Sequence, residues 1–144
     1  MQLVIDPARI DPPTRRAECR CGQLSATVSG DPVRISVCHC LDCQRRSGSA
    51  FAAQARFAAA DVKLEGRSNE WVQTADSGNK VYFHWCPDCG CDVWYQGGGG
   101  LPEAIAIPVG LFTDPNFPAP WFSVWEERKH DWVEILGDAV EHFD

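Results

Sequence analysis

The fold of this chain is decided by the stretch Val33-Arg34-Ile35-Ser36-Val37-Cys38-His39-Cys40-Leu41-Asp42-Cys43-Gln44-Arg45-Arg46-Ser47-Gly48. Val33, Ile35 and Val37 alternate with their neighbours, the period of a strand with one buried face. At Leu41 the alternation stops. Residues 41–47 read as a short helix that Asp42 can cap and that Gly48 ends. The cysteines straddle that switch. Cys38 and Cys40 leave the strand two residues apart, and Cys43 falls in the first helical turn, where the positive end of the helix favours thiolate. Three thiols so close together, with no evident fourth ligand, form the pattern of a metal site with an open coordination position.

Four more cysteines lie on either side, in Cys19-Arg20-Cys21-Gly22 and in Cys86-Pro87-Asp88-Cys89-Gly90. Zinc holds sulfurs at ~2.3 Å on tetrahedral corners, hence roughly 3.7 Å from one another. Two cysteines in C-x-C on a strand face one side and reach that separation cheaply. In C-x-x-C on a tight turn, backbone N–H groups point back at the sulfurs and a following glycine can take positive φ. Two such pairs far apart in sequence make a closed Cys₄ site pinning the early strand to the middle of the chain. Binding there on the order of 10 kcal/mol would dominate the stability of so small a domain.

Other uses of the eight cysteines remain open at this level. Parity allows disulfides, although C-x-C spacing strains them and a reducing compartment opposes them. The second cluster can also be purely structural, with a fourth ligand from elsewhere. Cys91 is the first candidate, with His39 and His84 behind it; the alternative for Cys91 is a buried thiol without a metal.

The remaining sequence supplies the frame. Residues 24–28, 50–57, 62–64, 70–74, 80–86, 91–96, 104–109, 122–126 and 132–136 read as short strands, separated by turns such as Ser77-Gly78-Asn79 and Thr113-Asp114-Pro115. Many short strands with almost no helical periodicity predict a mainly β domain over 18–144, preceded by an arm or tail over 1–17. Gly97 to Gly100 read as a mobile hairpin tip. The six tryptophans are expected chiefly in the core, with one or two walling a pocket near the open metal site. His130 and His142 are expected to face solvent.

At 144 residues, 44% hydrophobic and 23% charged, the chain suits one globular domain. Its formal charge of −7, with Arg15–Arg16 and Arg45–Arg46 as the only arginine doublets, opposes a nucleic-acid partner held by its phosphates. No stretch reads as a signal peptide or a membrane span, so the expected location is the cytoplasm. A monomer or a homodimer fits equally, through exposed sheet edges.

Three blocks together resemble the glutathione-dependent formaldehyde-activating enzyme family, which includes the centromere protein V-like proteins. They are Cys19-Arg20-Cys21-Gly22, the run from Cys38 through Gly48-Ser49-Ala50-Phe51, and Phe83-His84-Trp85-Cys86-Pro87-Asp88-Cys89-Gly90. The resemblance covers roughly residues 18–136. It implies a β-tent (Mss-like) fold of twisted antiparallel sheets with one short helix, and two zinc ions. One zinc would be structural, on Cys19, Cys21, Cys86 and Cys89; the other would be reactive, on Cys38, Cys40 and Cys43. It further implies a carbon–sulfur lyase joining a thiol such as glutathione to formaldehyde or a related aldehyde. Arg45 and Arg46 are candidates for glutathione carboxylates, or else balance the charge of the zinc–thiolate cluster. The other functional reading is a non-enzymatic zinc module with a structural or partner-binding role. The chain departs from the family pattern where Cys91 replaces a usually small or hydroxylated residue, where Ser123 stands about where a histidine is common, and where Leu111-Phe112 replaces a usual Leu-Asp.

Overall fold

A computed structural model describes residues 13–144. Within them the chain runs β1 (Thr14–Glu18), β2 (Ser25–Ser29), β3 (Arg34–Cys38), α1 (Leu41–Ser47), β4 (Ala52–Phe57), β5 (Val62–Glu65), β6 (Asn69–Thr74) and β7 (Lys80–Trp85). It continues with β8 (Asp92–Gln96), β9 (Ile105–Pro108), β10 (Phe122–Val124) and β11 (Glu141–His142). The expected mainly β architecture with one short helix is present. A three-stranded antiparallel sheet, β1-β2-β5, faces an eight-stranded sheet ordered β11-β10-β3-β4-β9-β8-β7-β6. β10 departs from the antiparallel rule, running parallel to both β3 and β11.

Period-two alternation fixes which residues meet between the sheets. Ala17, Ala26 and Val28 from the small sheet pack with Ile35, Ala55, Phe57, Ile105 and Ile107 from the large one. Their neighbours along β3 and β4 turn to the opposite face. There Ser36 pairs with Gln54 and Arg34 with Arg56, while Arg56 and Tyr95 both register on Ala106. Tyr95 is followed across the sheet by Phe83 and then Trp71. One row therefore crosses the outer face, cationic at its β3 end and aromatic at its β6 end, and α1 lies over it.

Several expectations are corrected. Thr14 to Ser29 form an antiparallel pair, β1 with β2, so the sheet begins inside the segment expected as an arm; residues 1–12 lie outside the described residues. Residues 132–136 form no strand: Trp132 and Leu136 stay exposed, and the place beside β10 is taken by Glu141–His142. Propensity cannot supply a missing hydrogen-bonding partner. Asp42 does not cap α1; the N-cap is Cys40, whose Sγ accepts from the Cys43 N–H at 3.3 Å. Gly48 ends the helix in the left-handed region, as expected. None of the tryptophans belongs to the buried core. The glycine run is packed onto the sheet, with Gly99 carbonyl accepting from Arg34 Nη2 at 2.6 Å. No helix among the described residues is long and apolar enough to cross a membrane.

Candidate metal centres

The structure brings the cysteines together in the two expected groups. The ligand atoms of Cys19, Cys21, Cys86 and Cys89 all lie within 4.8 Å of one another, and so do those of Cys38, Cys40 and Cys43. No cysteine is in a disulfide.

The first group is assembled by two turns from different sheets. Cys19 follows β1, and its carbonyl accepts from the Gly22 N–H at 3.0 Å in a tight turn. Cys86 follows β7, where the Gly90 N–H donates to its carbonyl at 2.8 Å; Gly90 closes this turn at φ +77°, a conformation glycine adopts without penalty. The sulfurs of Cys19 and Cys21 are 3.6 Å apart and those of Cys21 and Cys86 are 3.7 Å apart, the spacing of tetrahedral corners around zinc. The surrounding donors favour thiolate. Gln23 Nε2 donates to Cys86 Sγ at 3.0 Å and the Leu24 N–H to Cys19 Sγ at 3.4 Å. Backbone N–H groups of Cys91 and Cys21 bring the Cys89 thiol down to about 6. This donor set fits a structural zinc ion.

The second group is local. Cys38 ends β3, Cys40 caps α1 and Cys43 lies in its first turn. The Cys38 thiol and then the Arg46 charge hold Cys43 down, against burial, at about 6, while Cys38 is correspondingly pushed up. Three sulfurs converge with one of them readily a thiolate, and no fourth joins them within that distance among the described residues. The donor chemistry suits zinc with a position left for another molecule.

Arg46 reaches this cluster through Nη2, 3.9 Å from Cys43 Sγ. Its Nη1 pairs with Asp92, and its guanidinium lies over Tyr95, 4.9 Å from the ring centroid. Arg46 is thus engaged with the cluster and the sheet, whereas Arg45 is exposed at the cavity rim. Cys91 stands by the first group, its Sγ accepting from the Arg20 N–H at 3.3 Å, and belongs to neither set of converging sulfurs. His39 is fully buried with Nε2 2.9 Å from Ser123 Oγ. His84 lies between Ser68 and Glu70 and stacks on Trp94. His130 and His142 are exposed, His142 pairing with Glu126.

Two cavities meet at Cys43. One, of about 540 Å³, runs along the aromatic end of the row, between α1 and Trp71, Phe83 and Trp85. The other, of about 480 Å³, lies over the cationic end and is bordered by Cys38, Cys43 and Trp125. Tyr95 lines both. Two tryptophans therefore wall the first cavity and one the second, three where one or two were expected. The sequence reading overlooked Arg34, Arg56, Asp92 and Tyr95. The signal for Arg56 was present: Ala52-Ala53-Gln54-Ala55-Arg56-Phe57 sets Gln and Arg at alternate positions of an otherwise apolar strand.

A crystal structure of a Rhodobacter sphaeroides protein is similar in fold, with a TM-score of 0.50 and 22% sequence identity over 72% of this chain and 90% of that one. No curated protein matches the chain. The profile described as glutathione-dependent formaldehyde-activating enzyme matches residues 14–128. That span holds β1 to β10, α1 and both cysteine groups, and the chain belongs to the glutathione-dependent formaldehyde-activating enzyme family.

Proposed function

We propose that this chain is a zinc-dependent carbon–sulfur lyase that adds a thiol, glutathione or a relative, to formaldehyde or a related aldehyde, and runs the reverse cleavage. The observation that carries the reading is the meeting of two cavities at the three-thiolate cluster. A two-substrate reaction needs two approaches to one point. In the addition the sulfur–carbon bond forms, the carbonyl π bond becomes a C–O single bond, and the thiol proton ends on the oxygen. Cys38, Cys40 and Cys43 would hold a zinc ion, which would supply a position that keeps a thiol as thiolate.

The protein's own residues supply charge and a proton donor. Arg46 offsets the negative cluster from beside Cys43. Tyr95 Oη accepts from Arg56 Nη2 at 3.2 Å, so its own proton is free to point into the cavity. Burial raises the Tyr95 pKa and keeps that proton in place, to be offered as a hydrogen bond to an oxygen that gains charge as the bond forms. Arg45, exposed at the rim of the larger cavity, is left for a glutathione carboxylate.

The test is a glutathione titration of the cobalt-substituted protein, followed through its visible spectrum. The expected result is a saturable change confined to the second site. An unchanged spectrum at millimolar glutathione would instead leave a non-enzymatic zinc module.

A further inference from the structure

Arg34 and Arg56 face each other across β3 and β4. Like charges placed directly opposite are destabilising, and here one guanidinium is buried and the other half-buried. Arg56 is only 6% exposed. Its Nη1 donates to Ser36 Oγ at 3.3 Å and its Nη2 to Tyr95 Oη at 3.2 Å, both neutral acceptors. Arg34 donates through Nη2 to the Gly99 carbonyl, while its buried Nε meets no partner. Burial, then the neighbouring Arg56 charge, pulls the Arg34 pKa down.

Among the described residues no carboxylate pairs with either arginine. Neither arginine hydrogen-bonds to a sulfur of the thiolate cluster among the described residues, whereas Arg46 Nη2 stands 3.9 Å from Cys43 Sγ. Two adjacent guanidinium groups, one buried and one half-buried, are costly without an anion unless something negative enters. The cavity above them is large enough for a small organic anion, and its β10 side is apolar, where Phe122 and Val124 stand beside Ser36 and Cys38. Gly99 closes its lip so tightly that a Cβ there would stand 2.5 Å from Arg34 Nη2 and 2.9 Å from Arg56 Nη2.

We propose that this second cavity is a carboxylate-binding subsite: Arg34 and Arg56 hold the carboxylate of a small substrate whose reactive end reaches Cys38 and Cys43. A carboxylate matches the fork of N–H groups that arginine offers. The placement of the reactive end rests on the function proposed above; the anion site itself does not.

The test compares 3-mercaptopropionate with its neutral relative 3-mercaptopropanamide, each titrated into the cobalt-substituted protein. The acid should bind at least about tenfold more tightly. Arg34→Gln should bring the two affinities together by weakening the acid alone. Arg34→Lys, which keeps the charge and loses the fork, should retain part of the preference. Equal affinities in the unaltered protein would overturn the subsite. If neither thiol changes the spectrum, the open-site reading fails, and thermal melts of the zinc protein with propionate or propionamide decide the subsite separately. Propionate should raise the melting temperature of the unaltered protein and not of Arg34→Gln; identical melts would overturn it.

Discussion

Asp92, the first residue of β8, holds Arg46 of α1 in an ion pair in which the side chains are 23% and 15% exposed. The pair fixes the guanidinium over Tyr95 and beside Cys43. A short helix whose own residues are all outside the core is thereby tied to the sheet beneath it.

Arg46→Gln should cost about 2 kcal/mol of stability near neutral pH, because it strands a sheltered carboxylate. Burial already raises the Asp92 pKa, with Arg46 pulling it back; without Arg46 the folded-state value climbs further. The folded variant then binds its proton more readily than the unfolded chain does. Its deficit relative to the unaltered protein is full above that raised value and shrinks as the pH falls through it towards the lower Asp92 value of the unaltered protein. Denaturant titrations of both proteins across this range check the sign. Zinc affinity of the second group should fall in the same variant, with the first group unaffected.

The two cysteine groups should respond differently to loss of one ligand. Cys86 is fully buried and its group joins the turn after β1, in the small sheet, to the turn after β7, in the large one. Cys86→Ser should leave insoluble or unfolded chain, as expected when zinc binding of about 10 kcal/mol holds two sheets together. Cys40→Ser touches only the junction of β3 and α1. It should give a folded protein that retains one metal ion and lacks activity. Metal content and circular dichroism separate these outcomes, and equal folding with two ions in both variants would dissolve the distinction.

What the sequence disclosed was local. C-x-C, C-x-x-C and alternation along β3 and β4 are set within a few residues, and they located both cysteine groups and the helix. The missed features depend on pairing. Residues 132–136 carry an apolar pattern but find no open strand edge, whereas Glu141–His142, with no such pattern, takes it. Arg34 and Arg56 stand 22 positions apart in the numbering, and only the β3–β4 register makes them neighbours. Asp92 gains its meaning from a helix that precedes it by half the fold.

Gly66 sits after β5 at φ +102°, and a Cβ there would lie 2.0 Å from the Gln23 carbonyl oxygen. Gln23 is the residue whose Nε2 donates both to Cys86 Sγ at 3.0 Å and to the Arg67 carbonyl at 2.8 Å. Gly66→Ala combines backbone strain with displacement of that donor and should cost about 2–4 kcal/mol. Chelators should then strip the first group faster, at unchanged rate for the second. A neutral effect on melting would mean that the turn relaxes without moving Gln23.

His39 lies between two cysteines of the second group in sequence, yet its ring turns to β10. Nε2 meets Ser123 Oγ, both residues are fully buried, and Nδ1 has no partner among the described residues. The imidazole therefore ties β3 to the parallel strand β10 rather than serving as a ligand. Ser123→Ala leaves both ring nitrogens without a partner and should destabilise by about 1–3 kcal/mol. Because the sulfurs are untouched, the metal content of Ser123→Ala and of His39→Gln should equal that of the unaltered protein. Loss of one equivalent from His39→Gln, in protein that remains folded by circular dichroism, would make His39 the missing ligand and close the coordination position that the proposed chemistry requires.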